Sequence, residues 1–186
     1  MAVDDPAIGL QSPEELREVI LSQQRDLEAL RRENEDVAVL IDALDGLLQL
    51  GDDEDPFQGV FAILERVFSF QEAVVLAEDA GPGAPLTCIV ATDQRQVGGE
   101  WPRERLFEKV LGGRVTATVT DQPALYLPLG ARDRRALMRL TRAVGEPGFD
   151  RRDIALARKF ALLASHAIAA RAANRLARRA NHDPLT

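Results

Sequence analysis

The residues of this chain that could do chemistry by type alone are a lone thiol, two imidazoles and one dense run of carboxylates. Cys88 stands among apolar neighbours in Leu86-Thr87-Cys88-Ile89-Val90-Ala91, where a cysteine serves as a small hydrophobe. Nothing beside it in sequence would lower its pKa and make a thiolate nucleophile. His166 and His182 are the only histidines, and both fall on or just past the last helical stretch. A metal site needs more ligands converging than these supply. Asp52-Asp53-Glu54-Asp55 has the charge for a cation but lacks the ligand spacing and glycine of a calcium loop. The run ends at Pro56, so it reads better as a helix start, with proline in the first helical position and acids near the positive end of the dipole. Gly81-Pro82-Gly83 lacks the remainder of a phosphate-binding loop.

The elements that would have to hold such residues are set by the rest of the composition. The chain has 186 residues and a formal net charge of −7, with apolar residues at 46% and charged residues at 28%. This is the balance of a globular domain with an extension, not of a disordered chain. An acidic total argues against nucleic acid as a partner. No apolar run is long enough to span a membrane, and the N-terminus lacks the blocks of a signal peptide. One cysteine excludes an intrachain disulfide framework. The expectation is a cytoplasmic protein. Its charge is uneven: −12 over residues 1–55, −1 over 56–150 and +6 over 151–186.

Ser12-Pro13-Glu14-Glu15 predicts a helix start, with Ser12 and Glu15 forming a capping box. No proline follows until Pro56. Apolar residues recur at alternating spacings of four and three. The a positions are Ile20, Leu27, Asn34, Ile41 and Leu48; the d positions are Leu16, Gln23, Leu30, Val37 and Leu44. Such heptads predict a coiled coil, as a rod of roughly 55–60 Å at 1.5 Å per residue. Asn34 at an a position can bond its counterpart in a parallel pair, and Asp26 at g faces Arg31 at e of the partner. A parallel homodimer is expected; the alternative is a helix folded back on its own domain.

The middle predicts α+β architecture. A helix over about 56–69 carries the stripe Phe57, Val60, Phe61, Leu64, Val67 and Phe68. Strand-like runs follow at 73–77 and 86–91, joined closely enough for an antiparallel hairpin. Trp101-Pro102 opens a short helical segment ending at Gly112-Gly113, and three further strands are expected at 114–119, 124–129 and 136–141. Asp150 and Asp153 cap a last helix of about thirty residues, with Phe149 placed to staple against Ile154.

Residues from about 37 to 172 resemble a GAF domain. The match is strongest at Leu125-Tyr126-Leu127-Pro128-Leu129, and again where Gly148-Phe149-Asp150 and Asp153 open the final helix. The ending Asn181-His182-Asp183-Pro184-Leu185-Thr186 resembles the entry to a GGDEF domain, through Asp183, Leu185 and Thr186 of an Asp-x-Leu-Thr motif. The resemblance implies a GAF-like antiparallel sheet flanked by helices, with long coiled-coil helices at both ends. It divides the chain into a tail (1–11), a coiled-coil helix (12–50), a GAF domain (51–172) and a signalling helix with the start of a GGDEF domain (173–186). The parent would be a diguanylate cyclase making cyclic di-GMP from GTP with Mg. The chain itself is expected to carry no catalytic residues and no metal or cofactor. Alternatives are the GAF input of a histidine kinase or transcription regulator, or a GAF dimerisation scaffold.

In such domains a small ligand sits against the sheet under the segment that here spans about 94–113. That implies Trp101, Arg105, Arg114 and Tyr126 as pocket residues for an unidentified small molecule; the alternative is that the aromatics are core and the arginines surface. The cyclic-nucleotide signature Asn-Lys-Phe-Asp-Glu is absent. The exit helix carries two seams at three-four spacing. One is Leu156, Phe160, Leu163, Ala167, Ala170, Asn174, Ala177 and Asn181; the other is Leu162, Ser165, Ala169, Ala172 and Leu176. Dimer contacts are expected at Phe160, Leu163, Asn174 and Leu176, and two near-equivalent registers would make a bistable pair. The alternative is that the alanine-rich face packs on its own sheet.

Overall fold

The computed structural model describes residues 12–49, 56–79, 81, 83–130 and 134–182. The acidic run at 52–55 and the motif residues Asp183, Leu185 and Thr186 lie outside them. So do the side chains of Leu48 and Leu176. The chain forms two units, one up to Ala38 and one from Val39 onward.

Helix α1 (Pro13–Gln49) begins where capping predicts. The Ser12 amide donates to Glu15 Oε2 at 2.9 Å and the Glu15 amide donates to Ser12 Oγ at 3.2 Å, so two of the orphan donors of the first turn are satisfied reciprocally. In the first unit the a and d side chains stand in solvent. Leu27 is 56% and Leu30 57% exposed, and Leu16, Ile20 and Val37 are exposed with them. Asn34 is exposed on the same seam.

The second unit takes the last turns of α1. Leu40 is buried there and Leu44 packs beside it, both against the domain's own core, while Ile41 stays 54% exposed. Leu44 is therefore shared, at most, with a partner. Helix α2 (Pro56–Val67) buries Phe57, Val60, Ile63 and Leu64. Six strands follow: β1 (Glu72–Ala77), β2 (Leu86–Ala91), β3 (Glu100–Trp101), β4 (Thr116–Thr118), β5 (Ala124–Gly130) and β6 (Arg135–Thr141). They form one sheet in the order β3-β2-β1-β6-β5-β4, with every pairing antiparallel. A 3-10 turn (Gln94–Gln96) and helix α3 (Arg105–Leu111) lie between β2 and β4. Trp101, expected to open that helix, instead ends β3, where it pairs with Leu86.

Period-two alternation sends the strands' side chains to two separate cores. Val75, Leu125, Leu127, Met138 and Leu140 join α2 and helix α4 (Arg151–His182) in one. Val74, Leu76, Leu86, Leu137 and Tyr126 join Phe107, Val110 and Leu111 of α3 in the other. Between β1 and β2 the register slips once: Val75 faces Val90 but Leu76 faces Cys88, leaving Ile89 as a bulge. At the end of β5, Gly130 has φ +154°, and a Cβ there would lie 2.7 Å from the Arg134 carbonyl oxygen. Only glycine fits this approach of β5 to β6.

Helix α4 lays Ala157, Phe160, Ala161, Ala164, Ala167 and Ile168 on the first core. The small alanines let the helix sit close to the sheet, and the Phe160 ring meets Phe68 edge-on at 6.4 Å. Its start is a second reciprocal box: the Asp153 amide donates to Asp150 Oδ1 at 2.8 Å and the Asp150 amide to Asp153 Oδ2 at 3.0 Å. Arg142 braces this start. Its guanidinium donates to the carbonyls of Ser69, Pro147 and Gly148 and to Asp153 Oδ2, all at 3.0–3.1 Å, and lies 4.1 Å from the Phe149 ring centre.

Two expectations for the exit helix are corrected here. Phe160 is 1% exposed in its own domain's core, so it is not a contact to a second copy, and Leu163 packs against the same core. The two seams are consequently unequal. The first is consumed by the sheet up to Ala167, whereas the second keeps Leu162 60% exposed, with Ser165, Ala169 and Ala172 partly so. A shared three-four spacing concealed this, because a helix facing a sheet and a helix facing its twin require the same periodicity.

Candidate functional site

The α3 side of the sheet is where charged and aromatic groups gather. Arg139 comes from β6, in the middle of the sheet, with Val74 of β1 and Tyr126 of β5 as its flanking partners. Alternation turns Ala136, Met138 and Leu140 to the α2 and α4 core, so Arg139 points with Leu137 toward α3. Its guanidinium carbon sits 5.5 Å from the centre of the Trp101 ring, within cation–π range. Arg139 Nε is buried and has no hydrogen-bond partner.

Tyr126 completes the cluster. It is 8% exposed, and its ring lies 6.0 Å from that of Phe107 at 43°. Burial pushes the phenol pKa up, opposed by the charge and hydrogen bond of Arg139 and reinforced by the carboxylate of Glu104. Glu104 stands at the N-terminus of α3 without a capping hydrogen bond from its side chain.

The roof over this face is fastened by ions. Arg103, 11% exposed, pairs with both Glu78 and Glu108 and donates to the Ala84 carbonyl at 3.2 Å. Glu78 is 7% exposed and is also held by Arg135, at 2.6 Å. These guanidinium bonds, that of Arg103 foremost, hold the Glu78 carboxyl below the usual range despite the opposing effect of burial. Arg134 and Asp79 add a neighbouring pair at 2.9 Å. The loop entering α3 is thereby tied to the end of β1.

Of the residues that sequence reading singled out, Trp101 and Tyr126 do meet on this face. Arg105 and Arg114 do not join them, since both are exposed. The residue that links the two aromatics, Arg139, was missed. Its signal was a cation inside the apolar run Ala136-Leu137-Met138-Arg139-Leu140, at a position whose alternation points inward. Cys88 is 1% exposed in the same core, and burial pushes its thiol pKa up. A shallow, open depression lined by Gln71, Glu72, Thr92, Asp93 and Arg95 lies at the strand ends. Among the described residues no helix is long and apolar enough to cross a membrane. His166 and Asn174 are exposed on α4.

No protein-family model matches the sequence, and no curated protein does. Solved structures do match in shape. One is the GAF domain of a protein described as a sensor histidine kinase from Pseudomonas syringae pv. tomato, with a TM-score of 0.56 and 19% identity over 86% of this chain and 99% of that one. Another is the GAF domain of a phosphoenolpyruvate-protein phosphotransferase from Coxiella burnetii, with a TM-score of 0.58 and 12% identity over 78% and 96%. A third is a GAF domain/HD domain protein from Geobacter sulfurreducens, at 0.52 and 15% over 72% and 98%. At these identities the likeness concerns the fold: the chain has the α+β fold of GAF domains, found here in signalling proteins of varied kinds.

Proposed function

We propose that this chain is the sensing and dimer-forming part of a diguanylate cyclase, which controls cyclic di-GMP synthesis through the geometry of two paired exit helices. The observation that carries the reading is the exposed heptad seam of α1. Leu16, Ile20, Leu27, Leu30, Val37 and Ile41 are all exposed at a and d positions, and burying the half of each that remains open would gain about 1 kcal/mol. Asn34 in the same seam, with Asp26 and Arg31 flanking it, supports a parallel pair of identical chains. The GAF fold supports a sensor module, and Asp183, Leu185 and Thr186 support a GGDEF domain downstream that uses GTP and Mg. The output runs along the face of α4 that its own sheet leaves open, at Leu162, Ala169 and Ala172.

Sedimentation at micromolar concentration should give a dimer, and Leu27→Asp with Leu30→Asp should give a monomer that retains the folded domain. Cysteines replacing Ile20 or Ile41 should each crosslink to themselves; an Ile20-to-Ile41 crosslink would mean antiparallel rods and end the model. The parent protein, supplied with GTP and Mg, should form cyclic di-GMP. A gene lacking a Gly-Gly-Asp/Glu-Glu-Phe sequence after Thr186 would reject the cyclase and leave a dimeric GAF module of another signalling protein.

A further inference from the structure

We infer that Arg139, with the indole of Trp101 and the phenol of Tyr126, binds the carboxylate of a small organic acid on the α3 face of the sheet. The inference rests on reading the domain as a sensor and names the chemistry of what it senses.

Guanidinium groups removed from water are held by carboxylates, because desolvation is otherwise uncompensated. The other arginines at the edges of this sheet obey that rule. Arg103 and Arg135 share Glu78, Arg134 takes Asp79, and Arg142 takes Asp153. Arg139 lies deeper, on a central strand between Val74 and Tyr126, and has no ion pair among the described residues. It meets the Trp101 ring and hydrogen-bonds the Tyr126 phenol, and its Nε alone is left without an acceptor. A buried donor that makes no bond leaves its desolvation uncompensated. An acceptor reaching Nε would remove that cost.

Nε and one terminal nitrogen of a guanidinium form a two-pronged edge that matches the two oxygens of a carboxylate. Glu104, close enough to raise the Tyr126 pKa, repels a dianion twice as strongly as a monoanion, and the single cation Arg139 offsets one charge. A phosphate dianion is disfavoured on that count. The apolar neighbours on this face are Phe107, Leu137 and Trp101, which suit an apolar remainder of the ligand. Arg139 and Trp101 are partly buried whereas Nε itself is covered, so an acid would reach it by displacing part of the α3 roof.

Trp101 is the only tryptophan of the chain, so intrinsic fluorescence reports this site alone. The whole chain would be titrated with sodium acetate, sodium benzoate, inorganic phosphate and sodium chloride at matched ionic strength. The two carboxylates should give a saturable change in Trp101 emission and a rise in Tm, whereas phosphate and chloride should give neither. Arg139→Met should weaken the response by about tenfold or more, while Arg105→Gln and Arg114→Gln, both at exposed positions, should keep it. Because Arg139→Met could also loosen the roof, the Arg139 Nε–H resonance of the unaltered protein supplies a second reading, and it should shift downfield with benzoate. An equal response to phosphate or chloride, a response that survives Arg139→Met, or an Nε–H resonance that stays in place would each overturn the assignment. Sedimentation reads the dimer separately, so a failed anion site and a failed sensor dimer are told apart.

Discussion

Toward α2 and α4 the sheet presents Val75, Leu127, Met138 and Leu140, and what meets them is apolar. Toward α3 it presents Tyr126, Arg139 and Leu137 beneath a short helix tied down at one end by Arg103. Both faces exclude water, but by different means. The first relies on area and close packing, which have no single point of release. The second adds a few directional bonds, which can be broken one at a time and depend on charge. Close packing holds the α4 side, and on the α3 side ion pairs are added to it.

The comparison can be broken most severely at Phe160. Phe160→Ala should cost about 3–5 kcal/mol in urea denaturation, and a loss below one kcal/mol would show that α4 does not anchor the domain. Arg142→Ala comes next. It removes a brace that serves three carbonyls and Asp153, and should cost about 2 kcal/mol, with faster hydrogen exchange confined to the first turns of α4. On the α3 side, Glu78→Gln should cost about 1.5 kcal/mol and raise exchange at 103–111 while leaving α4 protected. If α4 loosened equally, the two faces would be one cooperative layer.

The same carboxylate predicts a pH dependence. The folded-state pKa of Glu78 is depressed, so its contribution is complete at neutral pH. That contribution is lost as the pH falls below the ordinary carboxylate range. The Tm difference between the unaltered protein and Glu78→Gln should therefore shrink on acidification; a gap that widens would invert the sign of this coupling. The smallest effect expected is at Cys88, whose buried thiol should resist alkylation in the native protein and react once it is unfolded.

What could be read from the sequence was what is local. Both long helices start at capping boxes formed within four residues, Ser12 with Glu15 and Asp150 with Asp153, and each is made as expected. Strands β2, β5 and β6 were legible from alternation and turn residues. β3 was not, because two residues at a sheet edge carry no period, and so Trp101 was assigned to a helix. The placement of β6 between β1 and β5 depends on pairings with partners up to about seventy residues away, Glu72 with Thr141 among them, which spacing along the chain does not encode. The site was half visible. Aromatic residues at Trp101 and Tyr126 announced themselves, whereas Arg139 became meaningful only once its strand had neighbours on both sides.

The brace at Arg142 fixes the base of α4. One side chain there joins the end of β6, the carbonyl of Ser69 ahead of β1 and the root of α4. A helix clamped at its base in this manner has no free swivel. Displacement at its distal tip must then arise as flexure along the shaft, or as a shift of the whole platform on which the shaft is mounted.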